Sequence, residues 1–270
     1  MTRTYSLAQL MALPYSPPEM IQLAADTGCA AAGIRLLPAS PGGVHYPLMD
    51  NPAMLTETIA RMQDTGVQVL DLEVIRLAAD FQVERFLPFM EAGAKLRAKH
   101  ILVAGDDPDT ERLTTSFARL CEAAREFSLT ADLEFMPWTA VSNVGIARRV
   151  VESAQQDNGG VLVDALHFAR SSSTLEEVAA LPRPWLRYAQ ICDGAVPGPA
   201  TVEGMINDAR CERLLPGEGG VALRQLFEQL PADLPISIEV PSDTRAPAIG
   251  YKAWALQAIA ATRQVLGVQA

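Results

Sequence analysis

The feature that most constrains the fold is an alternation that runs the length of the chain. Short apolar segments rich in branched residues are each followed by a longer stretch with helical periodicity. The strand-like segments fall at residues 4–10, 31–37, 67–75, 100–104, 131–136, 161–166, 186–192 and 235–240. Several helices announce their starts. Ser16-Pro17-Pro18-Glu19 reads as an N-cap, a proline at the first helical position and a capping-box glutamate. Asn51-Pro52 repeats the cap-then-proline order, and Ser173 with Glu176 reads as a second capping box. A last helix is expected over 247–266, with Ile249, Ala253, Leu256 and Ala260 as its inward stripe.

Eight strand-then-helix units without a long linker predict one (β/α)8 TIM barrel occupying residues 1–270, close to the usual ~250 residues of that fold. A doubly wound open sheet normally has fewer strands and a glycine-rich first turn, and "MALPYSPPEM" contains no glycine. One unit is irregular. "GAVPGPATVEGMINDARCERLLPGEGG" inserts a long segment before a helix near Val221, and loops of that length tend to be functional or disordered.

Composition narrows the function. Hydrophobic residues make up 49% of the chain, enough for a large core, yet no apolar run reaches the length of a membrane span. Gln9 and Pro14 interrupt the first twenty residues, which read as a first strand rather than a signal peptide. The formal charge is −10 with no basic cluster, which disfavours nucleic acid and anionic membranes as partners. Cys29, Cys121, Cys192 and Cys211 are scattered without a CxxC pair, as expected for reduced thiols in a cytoplasmic protein.

In such a barrel the C-terminal strand ends share one rim, where catalytic groups stand. The third segment carries Glu73 near its end, the fifth Glu134, the sixth Asp164 with His167, the seventh Gln190 and Asp193, and the eighth Glu239. Taken singly, each charge is as readily a strand cap or an arginine partner. Gathered on one rim, carboxylates repel one another unless a cation holds them. Oxygen donors without cysteine favour Mg²⁺ or Mn²⁺.

The set Glu134, Asp164-x-x-His167, Gln190, Arg213 with Pro216-Gly217-x-Gly219, and Glu239 resembles the xylose isomerase-like barrel superfamily, whose members include sugar (phosphate) isomerases and epimerases. The resemblance covers nearly the whole chain. It implies that Glu134, Asp164, Gln190 and Glu239 bind a divalent metal. It further implies that Glu134 and Glu239 form the acid/base pair, and that His167 and Arg213 contact substrate. Gln190 departs from the histidine usual in the epimerases. A glutamine oxygen is a harder ligand and does not titrate, so Mg²⁺ or Mn²⁺ stands ahead of Zn²⁺ or Co²⁺. Some dehydratases of 3-dehydroshikimate type in the superfamily are similar in having glutamine there. The AP-endonuclease branch needs a histidine-rich trinuclear zinc site. This chain has only His45, His100 and His167, with His100 starting a strand on the opposite rim.

Other residues have two readings each. Arg35 could bind a substrate anion or pair with Glu73, which could itself be a substrate contact. Trp138 could offer a flat wall to a sugar face or simply cover the core, and His45 lies in a glycine-containing rim loop. "PGEGG" lacks GK[ST], so its glycines are expected to let the loop fold close to a ligand. Cys192 reads as a small core residue.

The expected activity is a divalent-metal-dependent isomerase or epimerase of a small hydroxy-carbonyl substrate, with Glu/Glu proton transfer through a metal-stabilised enediolate. The alternatives are a metal-dependent dehydratase of 3-dehydroshikimate or inosose type, with His167 as acid, and a non-catalytic sugar-binding barrel. Assembly as a homodimer or homotetramer is left open.

Overall fold

Eight parallel strands close on themselves, β1 pairing with β2 at one side and β8 at the other, in a computed structural model that describes residues 3–267. The strands are β1 Tyr5–Leu7, β2 Ala31–Arg35, β3 Gln68–Leu77, β4 His100–Gly105, β5 Thr130–Glu134, β6 Gly159–Asp164, β7 Ala189–Ile191 and β8 Ile236–Ile238. Helices connect them, giving the (β/α)8 TIM barrel that the alternation predicts. Residues 1, 2 and 268–270 of the expected domain lie outside the described residues. No helix of the described residues is long and apolar enough to cross a membrane.

Parallel strands covered on both faces should be apolar on both, and these are. Outward residues such as Leu72, Ile101, Val103, Leu133 and Val161 join the helices in the main core. Inward residues, among them Leu70, Val74, Leu102, Leu162 and Tyr188, fill the barrel with a second, smaller cluster. The inner filling is not wholly apolar: Ser6, Asp71, Gln190 and Ser237 are fully buried as well.

Several local expectations need correction. β1 ends at Leu7 and turns into a 3-10 helix, Gln9–Ala12. β3 continues to Leu77, so Glu73 stands inside the strand rather than at its end. β6 stops at Asp164, because that residue caps the helix Ala165–Arg170. The cap expected at Ser173 belongs to Thr174, whose hydroxyl accepts from Glu177 N–H while the Glu177 carboxylate accepts from Thr174 N–H. Ser173 instead accepts from Val144 N–H.

The helix expected over 247–266 is two helices, Arg245–Ile249 and Tyr251–Val265, broken at Gly250 with φ +88°. Its inward face is Trp254, Ala255, Ala258, Ile259 and Thr262, whereas Ile249 and Leu256 are each 46% exposed and Ala260 is exposed. Trp254 decides the phase, since its ring is fully buried and its indole N–H donates to Val240 O at 2.7 Å. The glycine at 250 breaks the register from which the other stripe was read.

The long insertion is built, not loose. It carries the helix Val202–Cys211, capped by Thr201, whose hydroxyl accepts from Gly204 N–H. The helix after it spans Leu223–Glu228.

Candidate active site

The sixth strand shows why an aspartate ends an apolar run. Asp164 Oδ1 accepts the backbone N–H of His167 at 2.9 Å, so the Asp-x-x-His spacing is that of an N-cap and the residue it caps. The cap points the short helix Ala165–Arg170 so that His167 Nε2 lies 3.6 Å from Glu134 Oε1. Donor atoms of Glu134, Asp164 and His167 all fall within 4.8 Å of one another.

Register places the remaining donors beside them. Asp164 pairs with Gln190 across β6 and β7, and Gln190 with Ser237 across β7 and β8. Gln190 Nε2 donates to Glu239 Oε1 at 3.1 Å. Its Oε1 is buried and has no hydrogen-bond partner.

Arg213 runs through the middle of this group. Its Nη1 lies 2.7 Å from Asp164 Oδ2 and its Nη2 lies 2.8 Å from Glu239 Oε2, with the side chain 2% exposed. Nε donates to Ala209 O at 2.7 Å, which fixes the guanidinium's orientation. The chain thus supplies part of the positive charge that the carboxyl groups call for, through an arginine that pairs with Asp164 and Glu239 but not with Glu134.

Protonation follows from burial and this pairing. Burial pushes the Glu134 carboxyl well above the usual range, and Asp164 and Glu239 add to the effect by repulsion. Glu239 rises to about 7 through burial, with Arg213 opposing and Asp164 reinforcing the rise. Burial alone would raise Asp164, but Arg213, His167 and the cap hydrogen bond bring it below the ordinary value. Burial lowers His167 to about 4, Asp164 only partly offsetting it, so the imidazole is neutral at physiological pH.

A cavity of about 60 Å³ opens above the group. Glu134, Glu239, His167, Arg35, Glu73, Trp138 and Arg213, all singled out in the sequence, line it. Asp164 and Gln190 lie just beneath, fully buried. Arg35 and Glu73 pair with each other, Arg35 Nε donating to Glu73 Oε2 at 2.8 Å, and both still face the cavity. Trp138 meets His167 edge-on, ring centres 5.0 Å apart, and its indole nitrogen has no partner.

Two expectations are not met at the rim. Asp193 does not line the cavity. Its carboxylate accepts N–H groups of Gly194, Gly217 and Val221 at 2.8, 2.9 and 3.0 Å and so pins the "PGEGG" turn. The glycines there serve that closure rather than a ligand. A Cβ on Gly219 would collide with Asp193 Oδ1, and Gly217 has φ +92°. His45 stays in its loop, Nδ1 2.9 Å from Gly43 O, away from the cavity.

Other assignments hold. Cys192 is buried, its Sγ 3.3 Å from Arg213 Nη1, and burial pushes its thiol up, so it is no nucleophile. His100 stacks on Tyr188 at the opposite end and sits 3.4 Å from Asp132. Arg76 and Arg210 line the cavity and were not singled out from the sequence.

A wider cleft of about 500 Å³ opens at that opposite end, between the helices Pro52–Thr65 and Leu87–Lys95. Lys95, Arg97 and Lys99 line it with no carboxylate beside them, and it has none of the acid/base groups found at the mouth.

A closed parallel barrel with buried carboxylates gathered at the C-terminal ends of its strands has the layout of the (β/α)8 enzymes. The chain belongs to the xylose isomerase-like TIM barrel family, whose sequence profile matches residues 21–265. No curated protein matches it significantly in sequence.

Solved structures share the fold at low identity. The IolI protein with a zinc atom has a TM-score of 0.80 and 17% identity, covering 98% of each chain. A D-psicose 3-epimerase solved in the presence of D-fructose has a TM-score of 0.74 and 12% identity, over 98% of this chain and 99% of that one. The probable 3-DHS dehydratase AsbF of Bacillus anthracis has a TM-score of 0.72 and 13% identity, over 93% and 97%.

Proposed function

We propose that this chain is a divalent-metal-dependent isomerase or epimerase that moves a proton at the carbon beside the carbonyl of a small hydroxy-carbonyl compound. The observation that carries the reading is one cavity lined by two buried glutamates, Glu134 and Glu239, from strands three places apart in the barrel. The donor set fits a hard dication. Gln190 Oε1 is a buried acceptor without a donor, and Arg213 pairs with Asp164 and Glu239 but leaves Glu134 without a cation. Glu134, Asp164, Gln190 and Glu239 would hold Mg²⁺ or Mn²⁺, which would supply Lewis acidity to the substrate carbonyl.

The chain's own groups do the rest. One of Glu134 and Glu239 takes the proton from the substrate carbon. The other returns it, to the opposite face or to the neighbouring carbon. Arg213 holds Glu239 and Asp164 in place through its two terminal nitrogens. His167 is neutral and its Nδ1 is unpartnered, so it can exchange a proton or a hydrogen bond with a substrate hydroxyl. Trp138 closes the wall beside it. The solved structures named as an epimerase and a dehydratase support this class of chemistry rather than either activity.

His167 also favours a second reading. The Glu134 carboxyl, which burial holds well above the usual range, lies 3.6 Å from His167 Nε2. As it gives its proton to that nitrogen, Nδ1–H can pass one to a leaving hydroxyl, the step a dehydratase adds. Incubation in D₂O with a panel of ketoses and inososes, read by NMR, tests the first reading. Deuterium at the carbon beside the carbonyl is expected, and Glu239→Gln should slow uptake by about 10²–10⁴-fold. No uptake with any member rules it out. Conjugated product absorbing in the ultraviolet from 3-dehydroshikimate would establish the second reading instead.

A further inference from the structure

Four arginines reach the cavity, and three of them are answered by carboxylates. Arg35 pairs with Glu73, Arg76 with Asp106, and Arg213 with Asp164 and Glu239. Arg210, near the end of the helix Val202–Cys211, lines the same cavity. Among the described residues it forms no ion pair. Its one hydrogen bond is a long contact, 3.5 Å from Nη2 to Ala39 O, an oxygen that Arg76 Nη1 also approaches at 3.4 Å.

The surroundings make this an unfavourable place for a lone guanidinium. Partial burial pulls the Arg210 pKa down, and repulsion from Arg76 and Arg35 pulls it further. Asp106 opposes the shift least, being already engaged by Arg76 at two positions. A half-desolvated cation beside cations of like sign costs stability unless an anion answers it. The protein's charge of −10 gives no general attraction for anions, so the concentration of arginine at this one mouth is local and directional.

Glu134, Glu239 and His167 thus share one cavity with Arg210, Arg76 and Arg35. We propose that Arg210, supported by Arg76 and Arg35, is the anion-binding end of the substrate pocket. The substrate is a hydroxy-carbonyl compound that also bears a carboxylate or phosphate, the anion Arg210 lacks. A planar guanidinium with several donors suits either group. This deepens the function proposed above and rests on it for the hydroxy-carbonyl end alone.

Isothermal titration of the full chain, supplied with Mn²⁺, tests the assignment with three probes built on one ring: quinate, myo-inositol 1-phosphate and myo-inositol. The wild type should bind at least one anionic probe tenfold or more tightly than myo-inositol, and which one wins separates carboxylate from phosphate. Arg210→Gln should erase that preference. Arg210→Lys, which keeps the charge but not the fork, should retain part of it and serves if the glutamine variant fails to fold.

Equal binding of neutral and anionic probes would overturn the proposal. So would a preference surviving in Arg210→Gln, or failure of the wild type to bind either anion. The two proposals fail separately. Absence of solvent deuterium exchange sinks the proton-transfer reading while leaving an Arg210-dependent anion preference intact, and loss of that preference leaves the exchange result untouched.

Discussion

Asp71 is the residue whose environment has the plainest consequence for stability. Both its carboxylate oxygens are buried without a hydrogen-bond partner, and a Cβ on Gly33 would lie 2.9 Å from Oδ2, so only glycine leaves room opposite. Burial, then repulsion from Glu73 and Glu239, raises its pKa well above the ordinary value. A raised folded pKa means that the native state holds the proton more tightly than the unfolded chain does. The stabilisation is complete below the unfolded value of about 3.9 and is lost as pH rises toward the folded value. Asp71→Asn removes this dependence. Urea midpoints should show the variant gaining on the wild type steadily as pH rises from 4 to 8. A constant difference across that range would mean that Asp71 does not titrate as its burial requires.

The same residue shows how far single residues were legible in the sequence. Glu134, Asp164 and Glu239 stood out as a set, because charges closing several apolar strands of one barrel meet on one rim. Asp71 and Asp132 carry the same signal in the same kind of strand, but nearer its start, where attention to strand ends misses them. Asp132 is answered by His100 and Arg187, whereas Asp71 is not. Arg213 was legible as a site residue. Its grip on two of the expected metal ligands was not, because spacing along the chain says nothing of which way a guanidinium turns.

At the level of elements, caps and turns carry the local stability. Asp109 Oδ1 accepts from Glu111 and Arg112 N–H at 3.1 and 3.0 Å and opens the helix Thr110–Glu126. Asp109→Ala should cost about 1 kcal/mol in denaturant unfolding; no loss would contradict the cap. Asp193 holds the insertion that carries Arg213. Asp193→Ala leaves three backbone donors unanswered, so a loss of about 1–3 kcal/mol is expected. Hydrogen exchange should speed over residues 213–221. Unchanged protection there would show that the turn is held by something else.

Strands and their order were readable because hydrophobic periodicity is a property of neighbours along the chain. Helix phase was less so, as the Gly250 break and the one-residue shift from Ser173 to Thr174 show. Both depend on tertiary packing, the first on where Trp254 is buried and the second on a Ser173 hydroxyl claimed by the next helix over. The helix Val202–Cys211 lies in a stretch whose prolines and glycines read as loop. Arg210 was hidden with it.

At the scale of the whole molecule, closing the barrel is what turns residues scattered from 134 to 239 into one site. It sets Glu134, Asp164, Gln190 and Glu239 on the ends of different strands, and β1 pairing with β8 completes the ring that holds them. At this site Glu134, Asp164 and Glu239 lie together, Arg213 pairs with two of them, and a dication is proposed to complete the balance. Titration of the metal-stripped protein with Mn²⁺, followed by the loss of free-ion paramagnetic resonance signal, tests that directly. The account predicts one ion per chain, with affinity at least tenfold weaker in Gln190→Leu, which also removes a donor to Glu239, and in Glu134→Gln, which leaves both of Arg213's partners in place. No uptake by the wild type, or uptake indifferent to both substitutions, would contradict it.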